Sequence, residues 1–112
     1  MLRLFNGDCL QILKDISSNS VDLVICDLPF GCLAKQDIKL KETTKARGNN
    51  QKDLTGCAWD IKIDLEAFWK EIKRVRRNEH TPCLHFCTTK YGFDLYNSNP
   101  KDFSYDLVWD KG

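Results

Sequence analysis

The sequence lacks most features that would place it outside ordinary globular domains. No apolar run approaches the ~20 residues a membrane-spanning helix requires, and residues 21–26 form one of the longest. There is no internal repeat. There is no excess of either charge: 17 Lys and Arg stand against 16 Asp and Glu, a net charge of +1, so overall charge names no partner. Six cysteines are present, at positions 9, 26, 32, 57, 83 and 87, but no Cys-x-x-Cys occurs. The opening Met1-Leu2-Arg3-Leu4-Phe5-Asn6-Gly7-Asp8 turns polar too early for a secretory signal. Reduced, mostly structural thiols in an intracellular domain with no membrane contact are therefore expected. His80, Cys83, His85 and Cys87 lie close together, but 83, 85 and 87 alternate as one face of a strand. Paired ligand loops are missing, so no metal site is expected.

What is present is a composition that folds. Hydrophobic residues make up 42% of the chain and aromatics 11%, enough for one small domain with a core. Leu10, Ile12, Leu13 and Ile16 form a short helical stripe with Asp8 as its N-cap, closed by Ser17-Ser18-Asn19-Ser20. Residues 21–26 are β-branched and apolar, the pattern of a strand buried on both faces of a parallel sheet. Asp27-Leu28-Pro29-Phe30-Gly31 stops it.

Residues 32–56 have no period and read as a long basic insertion loop. Asp64 then caps a helix whose Leu65, Phe68, Trp69, Ile72 and Val75 share one face. Lys73, Arg74, Arg76 and Arg77 sit at its C-terminal end, where the helix dipole favours them. Residues 82–88 predict a second strand, 91–98 a short helix and 103–109 a third strand. Strand–helix–strand–helix–strand is an α/β layered order, taken as one domain over residues 1–112.

In such sheets ligands bind beyond the carboxyl ends of strands, which directs attention to Asp27-Leu28-Pro29-Phe30. An exocyclic amine on a nucleobase is a poor nucleophile because its lone pair is delocalised into the ring. Two acceptors that each take one N–H draw the nitrogen towards a pyramid and localise that pair. The Asp27 carboxylate and the Leu28 carbonyl supply two acceptors. Pro29 holds Leu28 extended, Phe30 offers a flat face to a base that has left its duplex, and Gly31 lets the chain turn away. The competing reading of these five residues is a plain strand-ending turn.

Phe5-Asn6-Gly7-Asp8-Cys9-Leu10, then Asn19-Ser20-Val21-Asp22-Leu23, then Asp27-Leu28-Pro29-Phe30-Gly31 resemble the opening of the beta-class, motif-permuted amino-methyltransferases of DNA. Trp59-Asp60, the stretch from Asp64 to Val75, Ser98-Asn99-Pro100-Lys101 and the stretch from Phe103 to Gly112 continue the likeness. It is nearest to the phage and viral branch, whose catalytic motif often reads Asp-Leu-Pro-Tyr-Gly. The resemblance implies a partial Rossmann-like sheet and S-adenosylmethionine as methyl donor. It implies double-stranded DNA with a flipped base as substrate, and leaves a restriction partner open.

By the same resemblance Asp27, Leu28, Pro29 and Phe30 are catalytic, and Asp8, Cys9 and Asp27 face the cofactor. Asp at position 27 favours adenine N6; cytosine N4, an RNA base or a protein amide are the alternatives. Leu28 and Phe30 depart from the usual Pro and Tyr of the family motif. Trp59, His85 and Phe86 are expected in the core. Lys90 and Tyr91 follow the second strand, where they could line the same edge, and are given no catalytic role. Lys39, Lys41 and Lys45 would suit DNA phosphates, against the alternative of a merely solvated loop.

The glycines, at 7, 31, 48, 56, 92 and 112, include no Gly-x-Gly, whereas a nucleotide-type cofactor loop needs closely spaced glycines. The family places that loop and its target-recognition segment later in the chain. The expectation is the catalytic half of a longer methyltransferase, a truncated gene product or a partial sequence, with little or no methyl transfer on its own and either a missing C-terminal half or a homodimer. A non-catalytic nucleic-acid-binding module that kept the fold is the alternative from outside enzymes.

Overall fold

The computed structural model describes residues 1–31 and 60–112. The expected insertion loop, Lys39, Lys41, Lys45 and Trp59 lie outside the described residues. The elements in chain order are α1 (Cys9–Ile12), β1 (Val24–Asp27), α2 (Leu65–Val75), β2 (Cys83–Phe86) and α3 (Thr89–Ser98). Single 3-10 turns follow α1 at Leu13–Asp15 and α3 at Pro100–Asp102. Among the described residues no helix is long and apolar enough to cross a membrane.

Each helix starts where a short polar side chain can cap it. Asp8 accepts the Leu10 amide at 2.8 Å, Asp64 accepts those of Glu66 and Ala67 at 3.0 and 3.1 Å, and Thr88 accepts that of Tyr91 at 3.2 Å. Each bond satisfies an amide that has no partner inside its own helix. The other end of α2 is closed by tertiary contacts. The amides of Asn19, Ser20 and Val21 donate to the Arg74 and Val75 carbonyls at 2.9–3.0 Å. Asn19, at φ +53°, occupies the left-handed region that Asn tolerates better than most residues.

β1 and β2 run parallel, in the register Val24–Cys83, Ile25–Leu84, Cys26–His85 and Asp27–Phe86. Alternation along the strands sends Val24, Cys26, Cys83 and His85 towards α2. There Val24, Phe68 and Ile72 form the buried core, with Leu10, Leu13, Leu65, Trp69 and others packed around it. The predicted α2 stripe is thus the face that folds inward: Phe68, Ile72 and Val75 are buried, while Leu65 and Trp69 are half-buried.

Three sequence expectations are corrected. The first strand begins at Val24 rather than 21, because residues 19–21 are spent on the α2 carbonyls. It is not buried on both faces: Ile25 is 61% exposed, and Leu84 beside it 49%. The third strand does not form, and residues 103–109 run without regular structure, with Tyr105, Leu107, Val108 and Trp109 all at least three-quarters exposed. A strand exists only against a partner, and among the described residues β1 and β2 pair only with each other. Instead the Pro100–Asp102 turn leads into a ring contact of Phe103 on Tyr96 of α3, at 5.3 Å between centroids.

The cationic end of α2 is tied into the fold. Arg74 binds Glu71 and reaches the carbonyls of Leu13 and Ile16 at 2.6 and 2.8 Å. Arg76 binds Asp102 at 3.1 Å, and Arg77 forks onto Asp22. These three arginines brace the fold.

Candidate functional site

The parallel register sets Asp27 and Phe86 side by side at the carboxyl end of the sheet. Asp27 is exposed, and among the described residues no hydrogen bond or ion pair engages its carboxylate. That leaves its oxygens open to an incoming donor. Leu28, the next residue, is anchored on the core cluster of Val24, Phe68 and Ile72.

Phe30 is half-buried, and its ring lies on that of Tyr91 with centroids 5.2 Å apart and planes tilted by 40°. Such an offset, tilted pair is the favoured arrangement for two aromatic quadrupoles. Tyr91 is itself only 2% exposed and stands in the first turn of α3. One ring of the pair is therefore fixed in the protein and the other leans on it.

Gly31 ends the segment at φ +66°, a conformation that strains any residue with a Cβ. Its amide donates to the Asp60 carboxylate at 2.9 Å. Asp60 is 3% exposed and lies 29 residues away along the chain. Lys62 continues the same wall. It pairs with Asp94 at 2.6 Å and holds its ammonium 5.9 Å from the centre of the Tyr91 ring, within range of a cation–π attraction. Burial first, and the nearby Asp94 carboxylate second, push the Tyr91 phenol above its ordinary pKa, so it is neutral at pH 7. Its hydroxyl has no hydrogen-bond partner among the described residues.

The site-predicted residues thus divide. Asp27, Leu28, Pro29 and Phe30 form one continuous segment at the sheet end. Asp8 and Cys9 belong to the start of α1, where Asp8 spends one carboxylate oxygen on its own helix cap. A hollow of about 350 Å³ runs between α1, α2 and the free side of β1, lined by Cys9, Leu13, Cys26, Leu28, Phe68 and other apolar residues. Asp27 and Phe30 do not line it. The hollow's lining does not fit S-adenosylmethionine, which brings an ammonium, a carboxylate and a ribose: it is overwhelmingly apolar and contains no carboxylate side chain.

Two further expectations have outcomes here. His85 is a packed residue: its ring sits 5.8 Å from Phe68 and 5.1 Å from Trp69, and burial alone lowers its pKa. Phe86 is not in the core but 52% exposed on the open face. Among the described residues no group of His, Cys, Asp or Glu is arranged to hold a metal ion. Burial, with Cys83 and Cys9 nearby, raises the Cys26 thiol to about 11, so it stays protonated and inert at pH 7.

Sequence reasoning missed Asp60 and Lys62 as parts of this edge, and named Tyr91 only as a residue that could line it. Tyr91 follows the second strand by a few residues, which is a legible signal. Asp60 is visible in sequence only as half of the Trp59-Asp60 pair, and nothing in an Asp 29 residues downstream marks it as a partner for Gly31. Comparison with known family models, curated proteins and solved structures gives no match to this chain.

Proposed function

We propose that this chain carries the base-holding segment of a DNA amino-methyltransferase, with the N6 amine of a flipped adenine as its target. The observation that carries the reading is the end of β1: an exposed carboxylate at Asp27, unengaged among the described residues, within three residues of an aromatic ring braced by a second ring. Asp27 accepts one N–H of the amine and the Leu28 carbonyl accepts the other. The nitrogen's lone pair is then freed from the ring and becomes nucleophilic. Phe30 supports the base by stacking, an interaction worth about 1–3 kcal/mol per base in comparable sites. S-adenosylmethionine is the donor implied by the sequence resemblance, and the reading concerns only the base-holding side of the reaction. Partial Rossmann-like organisation, with β1 and β2 as two strands of a larger sheet, belongs to the same proposal.

The test is discrimination by the amine. Adenosine, cytidine and inosine are titrated into the full 112-residue chain, and the amide resonances of Asp27 and Phe30 are followed by NMR. Adenosine is expected to bind roughly ten-fold more tightly than inosine, which lacks the exocyclic amine and its two charge-assisted or carbonyl hydrogen bonds. Asp27→Ala is expected to erase that preference. Tighter binding of cytidine than adenosine moves the target to cytosine N4. Equal binding of adenosine and inosine to the wild-type chain overturns the proposal.

A further inference from the structure

We infer that Asp60 is a positioning residue for the segment from Leu28 to Gly31, and that it sets the direction in which Phe30 and the Leu28 carbonyl face a base. This deepens the proposed function and rests on it for the base, while the anchoring itself stands on geometry alone.

The segment needs an anchor. Beyond Asp27 the chain leaves the ladder of β1, so its backbone is no longer held by the parallel register. Leu28 is fixed by packing on the core and Phe30 by its ring contact with Tyr91, but neither contact fixes the peptide planes between them. A stacking contact tolerates sliding and tilting of a ring by tens of degrees. A hydrogen bond is far more directional. Among the described residues, the Gly31 amide's bond to Asp60, at 2.9 Å, is the hydrogen bond that joins this segment to the far side of the edge.

Three features make that bond a strong anchor. Its acceptor is a carboxylate, and hydrogen bonds to ionised acceptors are roughly twice as strong as neutral ones. The acceptor is 3% exposed, so water competes weakly for it. The donor belongs to Gly31, the one residue of the segment at positive φ, so the bond holds the chain at the point where it turns out of the segment. Asp60 is in turn continuous with Lys62, whose stem occupies the space beside Gly31: a Cβ there would come within 2.9 Å of Lys62 Cγ. The strand end and the lead-in to α2 are thereby clamped to each other, with Phe30 and Tyr91 at the same edge.

The experiment uses the full chain with Asp60→Asn and Asp60→Ala. The readouts are hydrogen exchange at the Gly31 amide and the adenosine-over-inosine binding ratio. Asn retains an acceptor oxygen in the same position, whereas Ala removes it. The wild-type Gly31 amide is expected to exchange at least about ten-fold more slowly than an exposed amide, with Ala erasing that protection. Ala is also expected to weaken adenosine binding roughly ten-fold, and Asn to restore most of both effects. A merely structural role would lower overall stability without moving the adenosine-over-inosine ratio.

Free exchange at Gly31 in the wild-type chain overturns the inference, and this measurement decides it even where Ala does not fold. Ala and Asn behaving alike also overturns it. If the wild-type chain binds adenosine no better than inosine, the parent reading fails instead. The anchoring is then decided by Gly31 exchange alone.

Discussion

The two faces of the small sheet share a backbone and a register, yet they are unlike in every energetic respect. On one face Val24, Cys26, Cys83 and His85 meet α2 and its Phe68 and Ile72. On the other, Ile25, Leu84 and Phe86 are 61%, 49% and 52% exposed. Their side chains are as apolar as those on the covered face. What differs is a neighbour: α2 follows β1 in the chain and folds back onto one side only. Hydrophobicity in a strand is thus an offer of burial, and a second element decides whether it is taken up. The carboxyl end of the sheet, where Asp27 and Phe30 stand, is where the two environments meet.

The sharpest break in this comparison comes from equivalent substitutions on the two faces. Phe68→Ala removes a 2% exposed ring from the core and is expected to cost about 3–5 kcal/mol. Phe86→Ala on the open face is expected to cost under ~1 kcal/mol. Urea unfolding followed by circular dichroism measures both. Equal losses would show that the open face is covered in solution.

A smaller effect is expected where the covered side is laced shut. Arg74→Ala leaves the Leu13 and Ile16 carbonyls without their guanidinium donor. It is expected to destabilise by about 1–3 kcal/mol and to raise amide exchange in α1 before exchange in α2. Arg74→Lys recovers only part of this, since one ammonium does not span the acceptors a guanidinium fork reaches.

The smallest expected effect is a pH dependence confined to the covered face. Burial lowers the pKa of His85 below its ordinary 6.5, so between the folded and unfolded values the unfolded chain binds more protons. Stability is therefore full above pH 6.5 and declines as pH falls through that value towards the folded pKa. His85→Gln is expected to flatten the slope of the urea midpoint between pH 7.5 and 5.5. An unchanged slope would assign it to other groups. Asp102, held below the usual carboxylate range by Asn99 and the Arg76 guanidinium, acts separately, at pH below about 4.

Much of the fold was legible because its signals are local. Asp8 and Asp64 cap the helices that their positions imply, and the α2 stripe buries the residues its spacing selects. A strand ending at Asp27-Leu28-Pro29 is equally local, since Pro and Gly restrict the backbone wherever they stand. Residues 103–109 show the limit. Their β-type composition is plain, but strand formation needs a hydrogen-bonding edge, and that lies outside the segment. The basic run at 73–77 shows the same limit: its charges are visible in sequence, while Glu71, Asp102 and Asp22, which pair with Arg74, Arg76 and Arg77, are assigned only by folding.

The sequence by itself determined where helices start, which α2 face is apolar, and that an Asp, a carbonyl and an aromatic ring follow a strand in immediate succession. These follow from short-range geometry and side-chain chemistry. Only the tertiary structure decided that Asp27 stays unpaired among the described residues, that Tyr91 backs Phe30, and that Asp60 reaches Gly31 from 29 residues away. Such contacts depend on how distant segments cross at the sheet's end, and no local pattern of residues encodes that crossing.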